Sequence, residues 1–280
     1  MQLHLRKPSS ALSPWIDFYW ICEDYYPLHE LEYKLPDART SWIFNLRRDR
    51  IRVYGQGTPD RYEHMPGAIA AGPKTTRYWL NTDCQSACMG IEFKPGGAYP
   101  FLGGWMTELR DGDLPLREAI RHPDAGSLRC ELSELSSPTE RFRRVERFLI
   151  DCLAKRTDTP ERNAAVGAGL QALAANPGTL LVREMAQKAN LSTERFIQLF
   201  KRETGLTPKQ YAGVIRFQRA LDLLRRCPET DGLEAALACG YYDQSHFNRD
   251  FRSRSGLTPT EWLRRDDIVS DHVPATEAFF

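Results

Sequence analysis

The chain has 280 residues, with 38 Lys plus Arg against 37 Asp plus Glu, so its formal net charge is +1 and any attraction to a polyanion must be built locally. A composition of 41% apolar and 11% aromatic residues is enough to bury a core in each of about two domains, which excludes a disordered chain. No stretch has the roughly 18–20 uninterrupted apolar residues of a membrane span, and Met1-Gln2-Leu3-His4-Leu5-Arg6 lacks the apolar block of a secretion signal, so a cytoplasmic protein without membrane contact is expected.

From residue 1 to about 125, Pro and Gly recur at short intervals between runs of aromatic and β-branched residues. Strands are expected at 42–46, 51–54, 75–80 and 87–93, and many short strands with turn signals predict a small barrel or sandwich. The segment 89–103 ends a strand in the Pro95-Gly96-Gly97 turn before a short helix. His4, His29, His64 and His122 lack metal-ligand spacing, and no serine-nucleophile motif or phosphate-binding Gly loop appears, so no catalytic residue, metal or cofactor is assigned. Trp15, Trp20, Trp42, Tyr78 and Trp79 suit a ligand pocket, although strand aromatics are more often core. Seven cysteines (22, 84, 88, 130, 152, 227, 239) form no paired motif and read as reduced thiols. On one strand, Cys84 and Cys88 would lie about 13 Å apart at roughly 3.3 Å per residue, too far to bridge.

Phe142, Val145, Phe148, Leu149 and Cys152 recur at helical spacing with charges between them, which predicts an amphipathic helix over 138–153. It is suited to packing on its own barrel or on a second subunit. The polar stretch 155–163 around Pro160 is the linker candidate, with the boundary near residue 160. The expected organisation is a β-rich domain with its trailing helix over 1–160, a helical domain over 161–268, and a flexible tail over 269–280.

The helical half repeats itself at an offset of 51 residues: Phe196-x3-Phe200-Lys201-x2-Thr204-Gly205-Leu206-Thr207-Pro208-x2-Tyr211 matches Phe247-x3-Phe251-Arg252-x2-Ser255-Gly256-Leu257-Thr258-Pro259-x2-Trp262. In each copy a Gly suited to the left-handed region ends one helix, and Thr-Pro-x-Gln or Thr-Pro-x-Glu starts the next as a capping box. Upstream, at an offset of 50, lie two short helices with Ala186 or Ala236 at the crossing, Asn190 or Gly240 at the turn, and Ser192 or Asp243 as the next N-cap. Helix, turn, helix, twice, is the helix-turn-helix pattern, although such pairs also occur in bundles with no DNA role. The connector from Lys209 to Arg226 forms a rod about 27 Å long at 1.5 Å per residue, of a length to set two recognition helices near 34 Å apart, one turn of B-DNA.

These residues resemble the AraC/XylS-type transcription regulators over about 100 residues, 165–265, most closely in 235–251 followed by Gly256-Leu257-Thr258-Pro259. The departures are Asn190, where Gly is usual, and Ala235, where a larger aliphatic is commoner. Leu35-Pro36-Asp37, 42–46 and 89–103 resemble the N-terminal domain of a poorly characterised subgroup of the same regulators, with Ala38 where Gly is usual. The resemblance implies a two-domain α+β chain, with an N-terminal β-rich cupin-like barrel and an all-α C-terminal tandem helix-turn-helix. It also implies binding to double-stranded promoter DNA, activation through RNA polymerase, a small-molecule effector and a homodimer.

With Phe196, Leu199, Phe200, Phe247 and Phe251 facing the core, helical spacing leaves Glu194, Ile197, Gln198 and Lys201, and Ser245, Asn248, Arg249 and Arg252, facing out, with Gln244 beside them. Gln198 and Asn248 suit adenine, Arg249 suits guanine, and Ile197 suits a thymine methyl. Lys201, Arg252 and the helix N-termini behind Ser192 and Asp243 suit phosphates. Residues 195–226 hold eight basic and two acidic residues, a local positive stripe; Glu194 repels phosphate, so either it accepts from a cytosine amine or the first motif binds weakly and the second dominates. The rival reading is a small-molecule-binding β-barrel or enzyme whose helical half only assembles subunits.

Overall fold

A computed structural model describes residues 1–55, 59–120, 122–155, 163–176, 178, 181–268 and 271–275. The strands are β1 (Gln2–Arg6), β2 (Ile16–Glu23), β3 (Leu31–Lys34), β4 (Ser41–Asn45), β5 (Arg50–Tyr54), β6 (Tyr62–Pro66), β7 (Ala68–Ala71), β8 (Tyr78–Asn81), β9 (Ala87–Phe93), β10 (Asp113–Pro115) and β11 (His272–Pro274). The helices are α1 (Tyr99–Leu102), α2 (Leu116–Ala119), α3 (Leu128–Glu134), α4 (Pro138–Ala154), α5 (Ala164–Ala175), α6 (Val182–Lys188), α7 (Thr193–Thr204), α8 (Pro208–Arg226), α9 (Gly232–Ala238), α10 (Gln244–Ser255) and α11 (Pro259–Leu263). A β-rich half is thus followed by a helical one. Among the described residues the β-rich half is three open antiparallel sheets rather than a closed barrel, in the orders β1-β2-β9-β4-β7-β10, β11-β3-β8 and β5-β6.

Side-chain alternation places Tyr19, Ile21, Trp42, Phe44, Met89 and Ile91 on one face of the six-stranded sheet. The apolar stripe of α4 covers that face, with Phe142, Val145, Phe148 and Leu149 in the same core, each fully buried side chain contributing about 1.5–3 kcal/mol. Trp42 meets Phe93, Phe101 and Phe148 edge-on at 5.1, 5.6 and 6.4 Å between ring centroids. The amphipathic helix therefore packs on its own chain. On the sheet's other face Trp20 lies across Gly90, where a Cβ would fall 2.2 Å from the ring. The Trp20 indole and the Ser41 hydroxyl both donate to the buried Glu92, at 3.0 and 2.6 Å.

The three-stranded sheet joins the two halves. Tyr33 and Trp79, paired across it and buried, share a core with Phe217, Leu221, Phe247, Phe251 and Trp262. Its edge strand β11 comes from the C-terminal tail and corrects the expectation of a flexible segment there. Val273 pairs with Tyr33 and is fully buried, while His272 reaches back to Glu32; three residues are too few to show a period in the sequence. The rest of the tail, 269–270 and 276–280, lies outside the described residues, as does 156–162, which holds the proposed boundary.

Glu32 is buried and accepts four hydrogen bonds, from Tyr25 (2.7 Å), His29 (3.1 Å), Gln85 (2.8 Å) and His272 (2.5 Å). Burial opposes its ionisation, but the bonds from His272, Tyr25 and His29 outweigh it and hold the carboxyl at about 2, below its ordinary 4.5. The folded carboxyl thus binds its proton less readily than the unfolded one, so its contribution is complete above about pH 4.5 and is lost as the pH falls towards 2. The urea midpoint of the wild type is expected to drop over that window, and that of Glu32→Gln to be lower at pH 7 and flatter below pH 4.5.

The cysteines are all free. Cys84 sits in the 3-10 turn Thr82–Gln85 rather than on a strand with Cys88, and the Cys88 thiol donates to the Cys84 carbonyl at 3.2 Å. Ala38 and Asn190, both standing where Gly is usual in the resembled family, adopt positive φ of 57° and 55°. Those two positions require the left-handed region, which Asn tolerates better than Ala.

Candidate nucleic-acid interface

The sequence repeat is a repeat of hydrogen bonds. In the turns, Asn190 and Gly240 take positive φ, and the next amides, of Leu191 and Tyr241, donate to the Ala186 and Ala236 carbonyls, both at 2.9 Å. Ser192 caps α7 by accepting from the Arg195 amide at 3.1 Å, and Asp243 caps α10 by accepting from the His246 amide at 2.6 Å. Both helices end on a Gly at φ +78°, with amide-to-carbonyl bonds of 2.8 Å from Gly205 to Lys201 and from Gly256 to Arg252. Thr207 with Gln210 and Thr258 with Glu261 complete both capping boxes that open α8 and α11.

The cores fall as the spacing requires. Phe196, Leu199 and Phe200 are buried with Val166, Leu170 and Tyr211, and Phe247 and Phe251 with Phe217 and Trp262. Glu194 and Gln198 on α7, and Gln244, Ser245, Asn248, Arg249 and Arg252 on α10, are exposed; Ile197 and Lys201 are half-buried. Arg249 is steadied along its own helix, its Nε donating to the Ser245 carbonyl at 3.3 Å, while the Gln244 amide lies over Gly232 at the start of α9. The structure therefore gathers each motif's outward residues on its second helix.

Sequence reasoning missed what holds these helices from behind. The loop 73–77 between β7 and β8 lies against the C-terminal ends of both. A Cβ on Gly205 would come 3.1 Å from Pro73 and 2.5 Å from the Met106 carbonyl, and one on Gly256 would overlap the Arg77 guanidinium. Arg254, bound to Asp250 at 3.0 Å, donates to the Thr75 carbonyl at 2.7 Å, and the Arg77 amide donates to the Arg254 carbonyl at 3.0 Å. The only sequence signal was the Asp250/Arg254 pair at helical i,i+4 spacing. The expected strand at 75–80 is corrected here: β8 begins at Tyr78, because Thr75 is tied by its amide and hydroxyl to Asp111 at 2.6 and 2.9 Å.

The profile of a family described as "Helix-turn-helix domain" matches residues 185–265. Over 83 residues the chain is 30% identical to the HTH-type transcriptional regulator MtrA of Neisseria gonorrhoeae, and over 86 residues it is 33% identical to the HTH-type transcriptional activator RhaS of Klebsiella pneumoniae. Residues 185–265 are therefore similar to the helix-turn-helix domains of HTH-type transcriptional regulators. The two matches cover 30% and 31% of this chain but only 27% and 31% of those relatives' own length. A probable AraC family transcriptional regulator from Rhodopseudomonas palustris, 30% identical, aligns over 37% of this chain and 97% of its own with a TM-score of 0.34. ToxT of Vibrio cholerae in an unsaturated-fatty-acid-bound form aligns over 95% and 99% at 10% identity, with a TM-score of 0.44. Residues 4–115 match a family described as a domain of unknown function. Among the described residues no helix is long and apolar enough to cross a membrane.

Proposed function

We propose that the chain is a sequence-specific DNA-binding transcriptional regulator, an activator that responds to a small molecule sensed in its β-rich half. The observation that carries this is the pair of second helices. They share caps and ends, and each leaves a polar set open to solvent although the opposite flank of both motifs is buried. An assembly domain has no need of Gln, Asn and Arg side chains held ready at the start of two equivalent helices, whereas base-edge readout needs such residues there. Loop 73–77 supports the coupling: β8 leads from it into the sheet between the halves, so a displacement of that strand reaches both AraC-type motifs at once. Contact with RNA polymerase and homodimerisation belong to the same reading and rest on the family resemblance.

The test is binding to promoter fragments at rising salt. Affinity is expected to fall steeply, with Lys201→Ala and Arg252→Ala each reducing the slope of log K against log salt by about one, uniformly across sequences. Affinity indifferent to salt and to both substitutions would return the chain to the rival reading of a β-rich binder with a helical assembly domain.

A further inference from the structure

The two motifs differ by one residue, and the backbone identifies which. Leu191 and Tyr241 are equivalent, because each follows the left-handed turn residue and donates its amide to the Ala186 or Ala236 carbonyl. Ser192 and Asp243 are equivalent as N-caps. The surplus residue is Tyr242, and it accounts for the offset changing from 50 to 51 within the turn.

The neighbouring tyrosines have opposite fates. Tyr241 is buried, its hydroxyl donating to Asp250 at 2.9 Å and its ring lying under the Arg216 guanidinium at 5.0 Å. Tyr242 is 88% exposed. It directly precedes Asp243, the N-cap of α10, and the first motif has no counterpart to it.

We propose that Tyr242 is a sugar-phosphate contact that anchors the second motif on the duplex, its phenol donating to a phosphate oxygen and its ring lying on a deoxyribose. The proposal rests on the DNA-binding reading. In a helix-turn-helix the recognition helix enters the major groove by its N-terminal residues, so the turn just before it passes the backbone, and tyrosine is among the side chains that bind phosphate oxygens there. The contact fixes register without reading sequence. It makes the motifs unequal: the second gains a neutral donor at its mouth, while the first carries Glu194, which repels phosphate.

The experiment uses the full chain on a bound genomic fragment, with Tyr242→Ala, Tyr242→Phe and, as a control on the parent reading, Arg249→Ala. Tyr242→Ala is expected to weaken binding about ten-fold and Tyr242→Phe about three-fold. The loss should be equal on the parent site and on base-substituted sites, with an unchanged salt slope, because no cation is removed. Melting temperature should not move for so exposed a side chain. Wild-type affinity of Tyr242→Ala alongside weakened Arg249→Ala overturns the Tyr242 contact and leaves the DNA reading standing. A loss confined to particular base substitutions overturns the backbone role. Unchanged affinity in Arg249→Ala as well removes the parent reading.

Discussion

Phe247→Ala is expected to cost about 3–5 kcal/mol, a large share of the roughly 5–15 kcal/mol by which folded proteins are stable. Phe247 is fully buried, with its ring 5.2 Å from Tyr241 and 5.7 Å from Phe251, so truncation leaves a cavity among rigid aromatics that cannot collapse into it. Its core also contains Tyr33 and Trp79 from the β-rich half. The loss should therefore appear in urea unfolding followed by fluorescence from either half, with both signals moving together. A change below about 1 kcal/mol, or a shift confined to helical signals, would contradict a core shared across the molecule.

The second large effect leaves the fold alone. Arg249→Ala and Asn248→Ala remove exposed side chains, so melting should be unchanged while affinity for a selected site falls by about 1–3 kcal/mol each, roughly 5–150-fold. Preference at one base position should relax in each variant, guanine for Arg249 and adenine for Asn248. Titration of the variants against a panel of single-base-substituted sites separates this from the uniform weakening expected of Lys201→Ala and Arg252→Ala. If Arg249→Ala weakens all sites equally, Arg249 holds phosphate and does not read a base.

The helical half was legible in the sequence because its signals are local. Capping boxes, a left-handed Gly and aromatic residues four apart each act within about one turn, and Thr207/Gln210, Thr258/Glu261, Gly205 and Gly256 all form the bonds their spacing implies. The spacing of Phe142, Val145 and Phe148 likewise fixed which side of α4 is covered. The β-rich half was legible only in part. β4, β5 and β9 carry the apolar runs that mark strands, whereas the polar Tyr62–Pro66 and the short Leu31–Lys34, Asp113–Pro115 and His272–Pro274 are strands because a neighbour pairs with them. His29 and His272 meet on Glu32, which lies 240 residues from His272 in the chain, so no local spacing announces the cluster. Loop 73–77 was hidden for the same reason: its contacts with Gly205, Arg254 and Gly256 are long-range, and no local period announces them.

On this reading one chain carries two helix-turn-helix grips for successive major grooves. Chemical footprinting of the full chain on genomic fragments selected from randomly sheared DNA tests it most directly. Two patches of major-groove protection are expected on one face of the duplex, about 10 base pairs apart, with the patch of the second motif lost in Arg249→Ala and the other retained. A single patch, or protection unaltered by Arg249→Ala and Gln198→Ala, would contradict the claim.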